Sequence, residues 1–268
     1  MDSCFGTTMK SVDFKNNHEA ARGEANSSVL QHTSSKIKDL LPSASVSSET
    51  SLIVLNAVYI KGYWQHPFQW RYTRAQEFHL DSEHSVLVDM LFQDRGYRVG
   101  RSQLLRARAL EMPYRGHRAS VVILLPNDID GLPYLQNALT TTSLCAILSS
   151  LQMVMNVELS LPKFKLDEGL LLKDTLKVLG VKDLFTPGDA DLSGIFEAGR
   201  PAVSDVVHKT FLKIDEGGTD ASSATAMTSL ACSATMPLHV TRFVVDHPFM
   251  FIIKSNEPDT VLFMGSVR

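Results

Sequence analysis

Much of the chain carries apolar positions at the spacing of strands, where successive side chains point to opposite faces. Residues 154–164 alternate in this way, and strand-like pieces follow one another from 86 to 126, ending in Ser120-Val121-Val122-Ile123-Leu124-Leu125. Short strands separated by turns predict an antiparallel meander. The run Leu52-Ile53-Val54-Leu55-Asn56-Ala57-Val58-Tyr59-Ile60 is almost continuously apolar and rich in β-branched residues, which predicts a central strand covered on both faces. In that setting Asn56 would be buried and would need hydrogen-bond partners. Further strands are expected at 203–214, 243–245, 249–253 and 261–263.

Helical stretches are fewer. Residues 15–41, rich in Glu, Ala, Lys and Leu, read as a helix and its exit, and 42–50 as a Ser-rich connection. Residues 132–151 are helix-like, and 168–179 place apolar residues at helical spacing with Gly180 positioned to end the helix. There is no internal repeat and no βαβ rhythm. A single domain of the α+β class is the expectation.

One segment fits none of these patterns. Between the strands ending near Ile214 and starting near Phe243, Glu216-Gly217-Gly218-Thr219-Asp220-Ala221-Ser222-Ser223-Ala224-Thr225 leads into residues 226–236 without Pro, Lys or Arg. A loop of this length in a compact domain is uncommon and usually functional or disordered. In an extended conformation Thr219, Ala221, Ser223 and Thr225 would share one face, all small and uncharged, with Asp220 pointing the other way. No Pro interrupts a ladder until Pro237. A flexible linker needs none of these restrictions; a segment able to enter a sheet needs all of them. Gly218 would supply backbone freedom at its base.

Composition narrows the alternatives. With 44% hydrophobic residues, 21% charged residues and a net charge of −3, the chain reads as an ordinary globular protein rather than a nucleic-acid binder. No apolar run approaches the ~20 residues that span a bilayer, and the start Met1-Asp2-Ser3-Cys4-Phe5 lacks the features of a secretory signal. Taken alone, that suggests a cytosolic protein or an incomplete N-terminus. Cys4, Cys145 and Cys232 cannot all pair internally and show no Cys-x-x-Cys spacing, so neither a disulfide framework nor a structural zinc site is expected. Asn26-Ser27-Ser28 is a glycosylation sequon within the expected helix. Ser, His and Asp are all present, but no Gly-x-Ser-x-Gly elbow accompanies them, which disfavours a serine hydrolase.

The passages Val206-Val207-His208-Lys209-Thr210-Phe211 and Glu216 to Thr225 resemble the hinge of the serpin family. Val245-Asp246-His247-Pro248-Phe249-Met250-Phe251 and Leu262-Phe263-Met264-Gly265 resemble its final strands. Leu55-Asn56-Ala57-Val58-Tyr59 with Lys61-Gly62 and Trp64, Val122-Ile123-Leu124-Leu125-Pro126 and Asp191-Leu192-Ser193-Gly194-Ile195 match in the same order, and residues 255–267 are similar to arthropod (tick) salivary members. The resemblance implies one serpin domain over 1–268, with a large mixed sheet A, sheets B and C, surrounding helices and a reactive-centre loop at 216–242. The family's N-terminal third, with several helices and a strand of sheet A, has no counterpart, so an N-terminally truncated fold is expected.

The resemblance also implies a mechanism and roles. A target serine protease would cut the loop, form an acyl-enzyme on its own serine, and be trapped as the loop inserts as a new strand. The chain would then be an inhibitor and not an enzyme, with no cofactor and no metal, acting as a monomer on a protease partner, with neither nucleic acid nor membrane. An extracellular location is implied, with the cytoplasm as the alternative. Thr219 would be the first inward side chain to insert, and Glu216 with Lys163 a salt bridge at the insertion point. Asn56 and His208 would be a hydrogen-bonded pair where the sheet opens. Trp64 fits the same region, or a plain core position. Counting from Glu216 puts the scissile bond at Cys232-Ser233, with Leu230 or Met236 as alternatives. None is basic, so an elastase-like or chymotrypsin-like target fits better than a trypsin-like one. Gly217 stands where the family usually has an acid, and Ser222 and Ser223 where it has alanines. The rival reading is a non-inhibitory serpin-like protein or an inactive fragment.

Overall fold

In the computed structural model the described residues are 9–196, 199–219 and 240–268. The chain divides into two compact units: residues up to Ile60 with Leu166–Leu212, and Lys61–Lys165 with Lys213–Arg268.

The first unit begins with α1 (Phe14–His32), capped by Asp13, whose carboxylate accepts the Asn16 backbone N–H at 3.0 Å. The chain that leaves it is fixed by Asn26: its Nδ2 donates to the Leu41 carbonyl at 2.9 Å and its Oδ1 accepts the Leu41 N–H at 2.8 Å. Strands β1 (Ile53–Tyr59) and β9 (Asp205–Ile214) pair in parallel, with Asn56 opposite His208. Ile37, Leu40, Leu41 and Val46 pack with Val207 and Phe211, and Ile53, Leu55, Ala57 and Tyr59 face the same cluster. The other face of β1 is open: Val54 is 43% exposed and Asn56 is exposed as well. Among the described residues the strand is therefore covered on one face, not two, and pairs with β9 alone. Its apolar run offers more surface for burial than the described residues use.

Strand β8 (Phe164–Leu171) also pairs with β9. It holds residues 168–171 in a strand where the sequence predicted the start of a helix, so α4 is confined to Lys173–Val178. Gly180 follows with φ +99°, the left-handed conformation that ends a helix.

The second unit is built on an eight-stranded sheet. Strand β4 (Ser85–Ser102) is the first and longest of the strands expected over 86–126. It pairs antiparallel with β3 (Arg74–His79), β7 (Gln152–Pro162) and β5 (Ala107–Pro113) along its length. From β5 the sheet continues through β6 (Ala119–Pro126), β12 (Phe249–Asn256) and β13 (Asp259–Val267). On its other edge β11 (Thr241–Val244) lies parallel to β7. The expected helix at 132–151 is two helices, α2 (Leu132–Ala138) and α3 (Thr141–Ser149). Thr140 takes an extended conformation and forms a reciprocal capping box with Ser143, which starts α3 afresh. Both helices pack on Ala107, Ala109, Val122, Leu124 and Ile252. No helix of the described residues is long and apolar enough to cross a membrane.

Candidate functional site

The second unit holds the base of the unusual loop. At the end of β9 the chain reverses through Asp215-Glu216-Gly217-Gly218. The Asp215 N–H donates to the Gly218 carbonyl at 3.0 Å, and the Gly218 N–H to the Asp215 carbonyl at 3.3 Å. The Asp215 carboxylate accepts the Gly217 N–H at 3.0 Å and pairs with Lys213 at 3.0 Å. The turn delivers β10 (Gly218–Thr219) against Ile214 on one side and antiparallel to β2 (Gly62–Tyr63) on the other.

Glycine is required where these strands meet. A Cβ on Gly218 would lie 2.0 Å from the Gly62 carbonyl oxygen, and its φ of +146° is one that L side chains rarely adopt. A Cβ on Gly62 would lie 2.6 Å from the Tyr114 ring.

Thr219 is completely buried. Its hydroxyl is hydrogen-bonded to the phenol of Tyr114, and Tyr114 lies flat on Trp64, with ring centroids 5.0 Å apart and planes within 1°. Trp64 is 2% exposed; its indole N–H donates to the Asp215 carbonyl at 3.0 Å and its backbone N–H to the Gly217 carbonyl at 3.0 Å. Phe68 packs edge-on against it, and its backbone N–H donates to the Glu216 carbonyl at 2.8 Å. Burial pushes the Tyr114 phenol above its ordinary range against the opposing pull of the Thr219 bond. It stays a neutral donor or acceptor at physiological pH.

Glu216 is anchored from the side. Its Oε1 accepts from Lys163 at 3.1 Å and from the Thr73 hydroxyl at 2.9 Å. Burial alone would raise its carboxyl pKa. The backbone N–H of Glu216 itself, the Thr73 hydroxyl and Lys163 outweigh that and hold it below the ordinary range. Lys163, Glu216, Gly218, Thr219 and Trp64, named from the sequence, thus come together. Trp64 serves both as core and as a wall of the site. Gly217 contributes its carbonyl.

In the first unit Asn56 Oδ1 and His208 Nδ1 lie 2.9 Å apart, and His208 Nε2 is 2.9 Å from the Thr210 hydroxyl. An amide oxygen only accepts, so Nδ1 carries the proton, and in the neutral ring Nε2 accepts from Thr210. The pair forms at an exposed position, not the buried one expected for Asn56. His247 is likewise occupied, by Asp246 at 2.7 Å and the Pro126 carbonyl at 2.9 Å, so no serine completes a triad there.

Asp220, Ala221, Ser222, Ser223, Ala224 and Thr225, and the cleavage candidates Leu230, Cys232, Ser233 and Met236, lie outside the described residues, as does Cys4. Cys145 is free and exposed. The Nδ2 of Asn26, where a glycan would attach, is the atom that donates to Leu41. Among the described residues no cluster of His, Cys, Asp or Glu could hold a metal ion. Tyr114, Thr73 and Asp215 were not singled out from the sequence, and Gly62 was named only within a family motif, with no role. Tyr114 stands 105 residues from Thr219, and no local pattern links them.

The family model for serpins (serine protease inhibitors) matches residues 1–268. The chain is 45% identical to Iris of Ixodes ricinus, covering all of this chain and 71% of that protein. It is 38% identical to human leukocyte elastase inhibitor, covering 97% of this chain and 69% of the relative. Among solved structures it is similar to uncleaved ovalbumin, with a TM-score of 0.83 and 28% identity over 95% of this chain and 64% of that one. It is also similar to thyroxine-binding globulin in complex with thyroxine, with a TM-score of 0.87 and 27% identity over 99% of this chain and 68% of the other. The mixed strands and helices described above are those of the α+β serpin fold, and with its motifs in order from first residue to last the chain belongs to the serpin family.

Proposed function

We propose that the chain inhibits serine proteases as a suicide substrate. The protease cleaves the segment after Thr219, forms an acyl-enzyme, and is held as the freed segment adds to the sheet beside β9. The observation that carries this reading is Thr219 itself: a small, neutral side chain fully buried between two strands, at the start of a segment whose same-face residues Ala221, Ser223 and Thr225 are also small and uncharged. Gly218 before it passes where only glycine fits. The residues from Glu216 to Thr241 include neither Lys nor Arg, so the favoured partner is an elastase-like or chymotrypsin-like enzyme, cutting at Cys232-Ser233 or near Leu230 or Met236. The relatives include an inhibitor named for leukocyte elastase. The reading takes the inhibitor as a monomer that acts outside the cell.

Incubation with elastase and with chymotrypsin, followed by denaturing electrophoresis, should give a covalent complex. Cleavage products without complex would overturn inhibition of those enzymes. Thr219→Arg should convert the inhibitor into a plain substrate, because insertion would bury an unpaired charge; an undiminished complex yield would remove Thr219 from the inward face. A second reading, a non-inhibitory carrier, draws on the likeness to thyroxine-binding globulin with its bound thyroxine. Cleavage without complex, together with saturable binding of a small apolar ligand, would favour it.

A further inference from the structure

The tripeptide Asn26-Ser27-Ser28 has the form of an N-glycan acceptor, and the fold gives its amide another occupation. Asn26 holds one residue, Leu41, by both of its polar atoms. Nδ2 donates to the Leu41 carbonyl at 2.9 Å, and Oδ1 accepts the Leu41 N–H at 2.8 Å. Arg22, one turn earlier in α1, gives the same carbonyl a second donor at 3.0 Å. Leu41 is 2% exposed. It packs with Ile37, Leu40 and Val46 against Val207 and Phe211 of β9, and Ala25 and Val29, on either side of Asn26 in α1, pack against the same cluster. The Lys38 carbonyl accepts from Lys209 of β9 at 3.0 Å. The clamp on Leu41 thus fixes the segment that joins α1 to the sheet.

The geometry of an amide decides whether a glycan and this clamp can coexist. Two bonds to one partner residue use one edge of the side-chain amide, the edge that carries Oδ1 and the Nδ2 hydrogen cis to it. The other Nδ2 hydrogen points back toward Cβ and cannot reach a residue that Oδ1 already holds. Glycan transfer from a lipid-linked oligosaccharyl pyrophosphate forms a bond between the sugar C1 and Nδ2. The C1–O bond to pyrophosphate breaks, the pyrophosphate leaves with the electron pair, and Nδ2 gives up one proton. The product is a secondary amide, which strongly prefers the trans form. That form sets C1 opposite Cβ and therefore cis to Oδ1, in the place of the hydrogen that Leu41 receives. The glycan removes the donor and stands where the Leu41 carbonyl has to be.

We propose that Asn26 is a glycan acceptor that is open in the unfolded chain and closed by folding, so that a molecule in the secretory pathway is either clamped or glycosylated there and never both. A glycan acquired before folding leaves the buried Leu41 N–H and carbonyl without Asn26, and the exit of α1 without its hold beside Val207 and Phe211. Such a chain is diverted from the native fold, while native molecules carry Asn26 unmodified. Folding rate and glycan transfer therefore compete for one nitrogen. The inference takes over the secretory route of the preceding reading, and a supplied signal keeps its test separate from protease inhibition.

The full chain, expressed in eukaryotic secretory cells behind a cleavable signal, is recovered as secreted and retained fractions. Each is mapped by mass spectrometry before and after N-glycosidase F, which leaves an aspartate at every occupied asparagine. Ile129→Thr makes an acceptor tripeptide of Asn127, which is exposed, and reports that transfer is active. Glycan at Asn127 of that variant is expected in both fractions, and glycan at Asn26 in retained chains alone. Ser28→Ala ends modification at Asn26 but keeps its amide, and should raise the secreted yield while melting as the wild type does. Asn26→Asp keeps the acceptor and loses the donor, and should lower the melting temperature by roughly 4 °C or more. Glycan at Asn26 on secreted protein with a wild-type melt would overturn the proposal. So would retained chains unmodified at Asn26 while Asn127 is occupied, an unchanged yield of Ser28→Ala, or a wild-type melt of Asn26→Asp.

Discussion

Thr219 and Tyr114 share one hydrogen bond between two buried side chains, and that sets the cost of losing either partner. Tyr114→Phe keeps the stacked ring on Trp64 and leaves the buried Thr219 hydroxyl without its partner. It should destabilise the protein by about 1–3 kcal/mol, read from denaturant unfolding, whereas Tyr114→Phe combined with Thr219→Val should recover much of the loss. Glu216 adds a pH dependence. Its carboxyl lies below its ordinary value of 4.5 when folded, so its contribution is present above that range and fades as the pH falls through the depressed folded value. Melting temperatures scanned below about pH 4.5 should therefore fall more steeply for the wild type than for Lys163→Met, which lacks one cause of the depression. Equal slopes would mean the bridge adds nothing. The charge and size of Glu216, Lys163, Gly218 and Thr219 were legible in the sequence because a glycine or a small neutral residue is informative wherever it stands. Tyr114 and Gly62 were not, because their meaning comes from one steric contact and one hydrogen bond made across long stretches of chain.

At the scale of elements, periodicity located most strands and misjudged two helices. The stretch 132–151 is apolar enough throughout to read as one helix, yet the extended backbone at Leu139 and Thr140 divides it. Thr140→Ala removes the side-chain half of the capping box and should cost about 0.5–2 kcal/mol, measurable by thermal unfolding; Thr140→Ser should be close to neutral. In 168–171 the helical spacing yielded to pairing with β9, a choice that a window of a few apolar residues cannot decide. The residues around β1 show the reverse limit. The apolar run correctly announced a strand, but one of its faces is open among the described residues, so composition overstated how much of it is covered.

At the scale of the whole molecule, order of motifs identified the family where composition could not, since 44% hydrophobic residues and a charge of −3 describe countless proteins. Spring-loaded inhibition makes a thermodynamic demand on the molecule as it stands. If the sheet accepts the loop, cleavage within 220–240 should raise the melting temperature by roughly 10 °C or more, since new ladder bonds and burial are added without lengthening the chain. An unchanged melt would favour the non-inhibitory reading. The seated Thr219 bears on how fast such a process runs. Joining a strand to a sheet is slow at its first contact and quick thereafter, because the first pairing fixes backbone for little return. Here that contact already exists, so under the proposed mechanism insertion would be elongation from an existing seed. Its rate should then track the residues that follow Thr219 far more than the stability of the turn before it.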